Sequence, residues 1–132
     1  MRHYLLLSFV ISIATLTVSC KSPVQETTEI VRQSLARIAK DPDSIKVRNL
    51  VLYKDGTICG EVNGKNSYGA YTGYQNFTGK WDSQTKTFTV KRVGALEPHE
   101  QILLELGEKQ GKSAKQILPH HFCGGEIEWR AD

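Results

Sequence analysis

The sequence has little of the material from which recognisable active sites are built. Methionine occurs once, tryptophan twice, cysteine three times and proline four times in 132 residues. The 17 basic and 14 acidic side chains alternate without runs of one sign, which excludes the basic stripe of a nucleic-acid-binding protein. No Gly-x-x-x-x-Gly-Lys-Ser/Thr and no Gly-x-Gly-x-x-Gly occurs, so the common phosphate-cradling loops are excluded. His99-Glu100 lacks the second histidine of the helical zinc-protease pattern, and Ser67 and Ser113 sit in no nucleophile-elbow context. Internal repeats and linkers are lacking too, and the length fits one domain plus a processing segment.

A long apolar run occurs once, from Tyr4 to Val18, behind the short positive start Met1-Arg2-His3. It has the length of a signal-peptide core and falls short of the ~20 residues a spanning helix needs. Residues 1–19 are therefore expected to be a signal peptide, with a retained membrane anchor as the alternative. The segment ends Leu16-Thr17-Val18-Ser19-Cys20. A small residue before a cysteine at this place resembles a bacterial lipobox, in which the cysteine is lipidated and becomes the mature N-terminus. The usual leucine three places before the cysteine is replaced by Thr17, with Leu16 one place earlier, so ordinary cleavage nearby is the competing expectation. The favoured expectation is an exported, periplasm-facing envelope lipoprotein, held to the membrane through lipid on Cys20, with one domain over residues 20–132.

Cysteine usage agrees with export. With Cys20 set aside for lipid, Cys59 and Cys123 remain, and an even pair in an oxidising compartment is most simply a disulfide. A bridge of that span stabilises by about 4 kcal/mol in the chain-entropy model.

Ser22-Pro23-Val24-Gln25 has the capping-box pattern with proline at the first helical position, which predicts a helix from about Pro23 to Lys40. Its expected inner stripe is Val24, Thr28, Val31, Leu35 and Ile38. Asp41-Pro42-Asp43-Ser44 stops it. Alternation of Ile45, Val47, Asn49, Val51 and Tyr53 against Lys46, Arg48 and Lys54 predicts a strand, Asp55-Gly56 a hairpin turn, and Thr57 to Val62 the returning strand. Further strands are expected over Tyr74–Trp81 and Lys86–Val93. A second helix should open at Glu97-Pro98 with Ile102, Leu103 and Leu106 as its apolar face, and a closing strand should lie within Phe122–Trp129. The fold class is α+β: an N-terminal helix, an antiparallel sheet of four to five strands, and a second helix near the C-terminus.

Between the second and third strands lies a loop rich in glycine, tyrosine and asparagine. Glycines allow close backbone approach or positive φ, and tyrosines give amphipathic contact area with few rotors to freeze. Asn63, Lys65, Asn66, Tyr68, Tyr71 and Tyr74 are the candidate binding residues. The competing possibility is a structural loop, with tyrosines packed on the sheet and asparagines capping turns. His120, His121 and Cys123, with His99 and Cys59, hold potential metal ligands, but Cys59 stands alone and a disulfide would remove Cys123. No metal and no cofactor are expected. Pairing a cysteine with a histidine, or Glu61 with another carboxylate, yields no catalytic constellation either.

Lys40-Asp41-Pro42-Asp43-Ser44 with Arg48, followed by Cys59-Gly60-Glu61-Val62-Asn63, Lys65-Asn66 and Gly69-Ala70-Tyr71-x-Gly73-Tyr74, resembles a group of small exported bacterial proteins. Many of these are expected lipoproteins and some lie in prophage regions; in them a DPDS turn precedes a CGxVNxKNxxGGYxGxxxF stretch. The match covers about Ala36 to Phe77, with Ala70 where the pattern has a second glycine. The resemblance implies an exported location and this order of elements, without an activity. The expected function is a non-enzymatic module that binds an envelope protein partner through the loop. The alternatives are an inhibitor of a cell-wall or invading enzyme, and a small hydrolase using Glu61 or the His120-His121 pair.

Overall fold

The computed structural model describes residues 21–132; the expected signal peptide and Cys20 lie outside the described residues. Helix α1 covers Pro23–Ala36. Its capping box is made as expected: Ser22 Oγ accepts from the Gln25 N–H and Gln25 Oε1 accepts from the Ser22 N–H, at 3.3 and 3.1 Å. The helix is shorter than expected at its far end, where the Ile38 and Ala39 amides tighten onto the Leu35 and Ala36 carbonyls. The buried stripe is Thr27, Val31 and Leu35, and Ile38, beyond the helix, is 64% exposed.

Five strands form one antiparallel sheet in the order β4-β3-β2-β1-β5: β1 Lys46–Tyr53, β2 Thr57–Asn63, β3 Gln75–Asp82, β4 Thr87–Val93 and β5 Ile127–Ala131. The Asp55-Gly56 turn joins β1 to β2, with Gly56 at φ +81. In β1 the buried residues are Leu50 and Leu52, not Val51 and Tyr53. Asn49 takes φ +54 and the β1–β2 register shifts between Arg48 and Val51. This bulge inserts one residue, so every side chain after it changes face.

One sheet face meets α1. Val31 and Leu35 pack there with Ile45, Leu50, Leu52, Ile58, Val62, Phe77 and Phe88. The Phe77 and Phe88 rings meet edge to face at 6.0 Å. Gly79 makes room for Phe88, since a Cβ there would lie 2.4 Å from the Phe88 ring and from the Thr89 carbonyl oxygen.

The other face is half covered. Helix α2 (Pro98–Glu108) packs on the short α3 (Ala114–Ile117), and the segment after α3 carries this cover onto the sheet through His120, His121 and Cys123. Cys123 is bonded to Cys59 on β2, with Cα atoms 6.0 Å apart. Helix α2 presents Ile102, Leu103 and Leu106 to solvent, the reverse of the expected burial. Its orientation is set instead by Glu100, which accepts the Glu97 N–H and lies 2.8 Å from His121 Nδ1, and by Gly107, which fits against Ile117.

Candidate functional site: the tyrosine loop and the cleft beneath it

The loop between β2 and β3 is built like a small hairpin of its own. A bridge joins Lys65 to Tyr71, the Thr72 N–H donates to the Gly64 carbonyl, and the Asn66 N–H donates to the Ala70 carbonyl at 2.9 Å. Asn66 Oδ1 accepts the amides of Tyr68 and Ala70, and Asn63 Oδ1 accepts the amide of Gly73. Short polar side chains of this type stabilise turns by bonding to nearby backbone. Two of the candidate binding residues, Asn63 and Asn66, thus brace the loop from within. Gly69 supplies the left-handed residue at the tip, φ +78, and Ala70 has no positive φ, so an alanine fits there without strain.

The tyrosines stand on the outside of this frame. Tyr68 is 95% exposed at the tip, while Tyr71 and Tyr74 are about half so. Each of the latter two is stacked with cations. Lys46 Nζ lies 4.5 Å and Lys65 Nζ 5.5 Å from the Tyr71 ring centre, and the Arg48 guanidinium lies 3.7 Å from that of Tyr74. Neither Lys46 nor Arg48 stands out in sequence as a loop residue; their alternation along β1 was the available signal, because it places both on one face beside the loop.

Arg48 is itself anchored. Its Nε donates to Glu61 Oε2 at 2.7 Å, and Asn49 Nδ2 donates to the same oxygen at 2.7 Å. The Arg48 hydrogen bond and then that of Asn49 hold the Glu61 carboxyl below the ordinary carboxylate range, so it is ionised at neutral pH. The result is a surface of three tyrosines and three cations around one fixed carboxylate.

On the opposite side the loop backbone roofs a cleft of about 400 Å³ against the end of α1. Its floor is apolar, from Leu35, Ala39, Ile45 and Val62, and Lys40 and Lys65 stand at its lip. Gly64 sits directly over Ile45, where a Cβ would come within 2.9 Å of the isoleucine methyl.

The histidine–cysteine cluster is dispersed among other partners. Cys123 is held in the disulfide, His120 Nδ1 pairs with Thr57 Oγ1 at 2.9 Å, and His121 faces Glu100. Burial lowers the His120 imidazole below its ordinary value, which keeps it neutral at physiological pH. Among the described residues no group of three or more His, Cys, Asp or Glu side chains is arranged to hold a metal ion.

No family model, curated protein or solved structure matches this chain.

Proposed function

We propose that this chain is a non-enzymatic binding module of the bacterial cell envelope, exported by residues 1–19, tethered through lipid on Cys20, and engaging a protein partner through the Asn63–Tyr74 loop. The observation that carries the proposal is Tyr68: a large aromatic side chain, 95% exposed, on a loop whose backbone is fixed by Asn63 and Asn66. A tyrosine carried on a braced backbone has only its own two side-chain rotors to freeze on docking, which is the character of an interface anchor. The cations around Tyr71 and Tyr74 favour a partner with an acidic surface. The test is crosslinked capture from cell envelopes by the full-length protein, beside Tyr68→Ala and Tyr71→Ala variants. Tyr68→Ala should retain the thermal midpoint of the parent and lose a captured protein. Equal capture by the parent and both folded variants would end the proposal.

An inhibitor of a cell-wall or invading enzyme is a second function with support of its own, because a braced, protruding tip flanked by cations fits a concave acidic cleft. Undiminished lytic activity of a lysozyme-type enzyme in molar excess of the protein would exclude it for that class of enzyme.

A further inference from the structure

Beside the tyrosine surface, on the same sheet face, lies a second pocket of about 370 Å³, within the range of small-molecule sites. No residue from Asn63 to Tyr74 lines it. Its walls bring Glu61 of β2 and Arg92 of β4 into one small volume, with Thr78 and Asn76 of β3 between them and the Cys59–Cys123 bridge along one side. Register places Arg92 opposite Thr78, Thr78 opposite Cys59, and Asn76 opposite Glu61. Two strand spacings and two residues thus separate the Arg92 and Glu61 backbones, roughly 12 Å by sheet geometry.

Both charged heads are fixed before any ligand arrives. Arg92 Nη2 donates to the His121 carbonyl at 2.9 Å and the guanidinium lies 5.5 Å from the Phe122 ring centre, while Nε is buried without a partner. No carboxylate is paired with Arg92 among the described residues. Glu61 receives both of its hydrogen bonds on Oε2, so Oε1 is free to accept. Thr78 is fully buried, yet its hydroxyl has no partner. An unpartnered buried hydroxyl is costly, and in native proteins such a group calls for a reason.

We propose that this pocket binds a small amino-carboxylate, with the ligand's carboxylate on Arg92 and the Thr78 hydroxyl and its ammonium or amide N–H on Glu61 Oε1. A simple anion would leave Glu61 Oε1 without a donor beside it, and a simple cation would meet Arg92. A molecule bearing both groups satisfies each end. Free amino acids and the C-terminal residue of a peptide share this chemistry.

The test is titration calorimetry on the full oxidised protein with glycine, L-alanine and L-glutamate, with the dipeptides Gly-Gly and Ala-Ala, and with acetate and methylammonium as half-ligands. Binding of an amino acid or dipeptide well above either half-ligand supports the site. Preference for free amino acids or for dipeptides then identifies the source. Thr78→Val should bind about tenfold more weakly while melting no lower than the parent, and Glu61→Gln should bind the preferred amino acid or dipeptide about tenfold more weakly as well. Perturbation of the Arg92 Nε–H resonance by the same ligands is the second readout. Absence of binding by every amino acid and dipeptide at millimolar concentration, acetate binding as tightly as glycine, or both variants binding like the parent would each overturn the proposal.

Discussion

Ser44 Oγ accepts the backbone N–H of Lys65 at 2.8 Å while donating to the Asp41 carbonyl at the same distance. The Asp-Pro-Asp-Ser turn and the tyrosine loop, separated by a full hairpin in sequence, are therefore one mechanical unit. Pro42 opens the 3-10 turn Pro42–Ser44 and the turn buries Ser44, so the hydroxyl reaches the loop from a fixed position.

Ser44→Ala removes that bond and strands the Lys65 amide. A loss of about 1–3 kcal/mol is expected, together with faster hydrogen exchange from Lys65 to Gly73. Unchanged exchange in the loop alongside a normal melt would show that the loop is held by Asn63 and Asn66 alone.

Gly79→Ala tests the close approach of Phe88 to the third strand. The added methyl meets a ring, which can shift, and the Thr89 carbonyl, which belongs to the neighbouring strand and cannot. Overpacking of this kind costs about 1–3 kcal/mol. A lower denaturation midpoint with an unchanged m-value is the expected signature, and an unchanged midpoint would show that β4 yields at this point.

Removing the bridge by Cys59→Ser with Cys123→Ser should cost about 4 kcal/mol, a large share of the 5–15 kcal/mol typical of a domain this size. Loss should be concentrated in the cover, with proteolysis entering first between Pro119 and Glu126. A parent protein that reacts with two equivalents of a thiol reagent after purification under oxidising conditions would contradict the bridge.

His120 gives a pH dependence of defined sign. Its folded pKa lies below the ordinary 6.5, chiefly through burial, with Asp55 raising it and Lys80, Lys91 and Lys115 lowering it. As pH falls below 6.5 the unfolded chain takes the proton first, so stability declines until the folded pKa is passed and then levels. His120→Asn should flatten this slope between pH 7.5 and 5; asparagine tolerates the φ of +64 at this position. An identical slope in the variant would assign the effect to other groups.

Much of the frame was legible because local chemistry decided it. Ser22 and Gln25 are near neighbours and cap α1 whatever follows, and Asp55-Gly56 closes a hairpin on its own. What was not legible depended on distant partners. The bulge at Asn49 reverses β1 because Asn49 bonds Glu61 across the strand, which no periodicity reveals. Helix α2 shows the same limit: Ile102, Leu103 and Leu106 have helical spacing, but His121 and Ile117 claim the Glu100 and Gly107 side first. At the loop, tyrosine and asparagine content marked a surface, while the division of labour between them emerged only from the hydrogen bonds. Arg92 and Thr78 read in sequence as ordinary strand residues, and only the register brings them beside Glu61.

The strand order carries a consequence for how the molecule comes to exist. β1 opens the sheet, yet its outer neighbour is β5, where Trp129 and Ala131 stand opposite Leu52 and Leu50. Until that last strand arrives, the outer edge of β1 offers unpaired amides and carbonyls to any extended chain nearby, and Cys59 has no Cys123 to meet. Assembly is thus a closing event, slow to begin for want of distant contacts and complete once they form. Clipping near Ile127 would reopen the edge, which makes the C-terminal strand the latch by which a protease could turn a stable domain into an aggregating one.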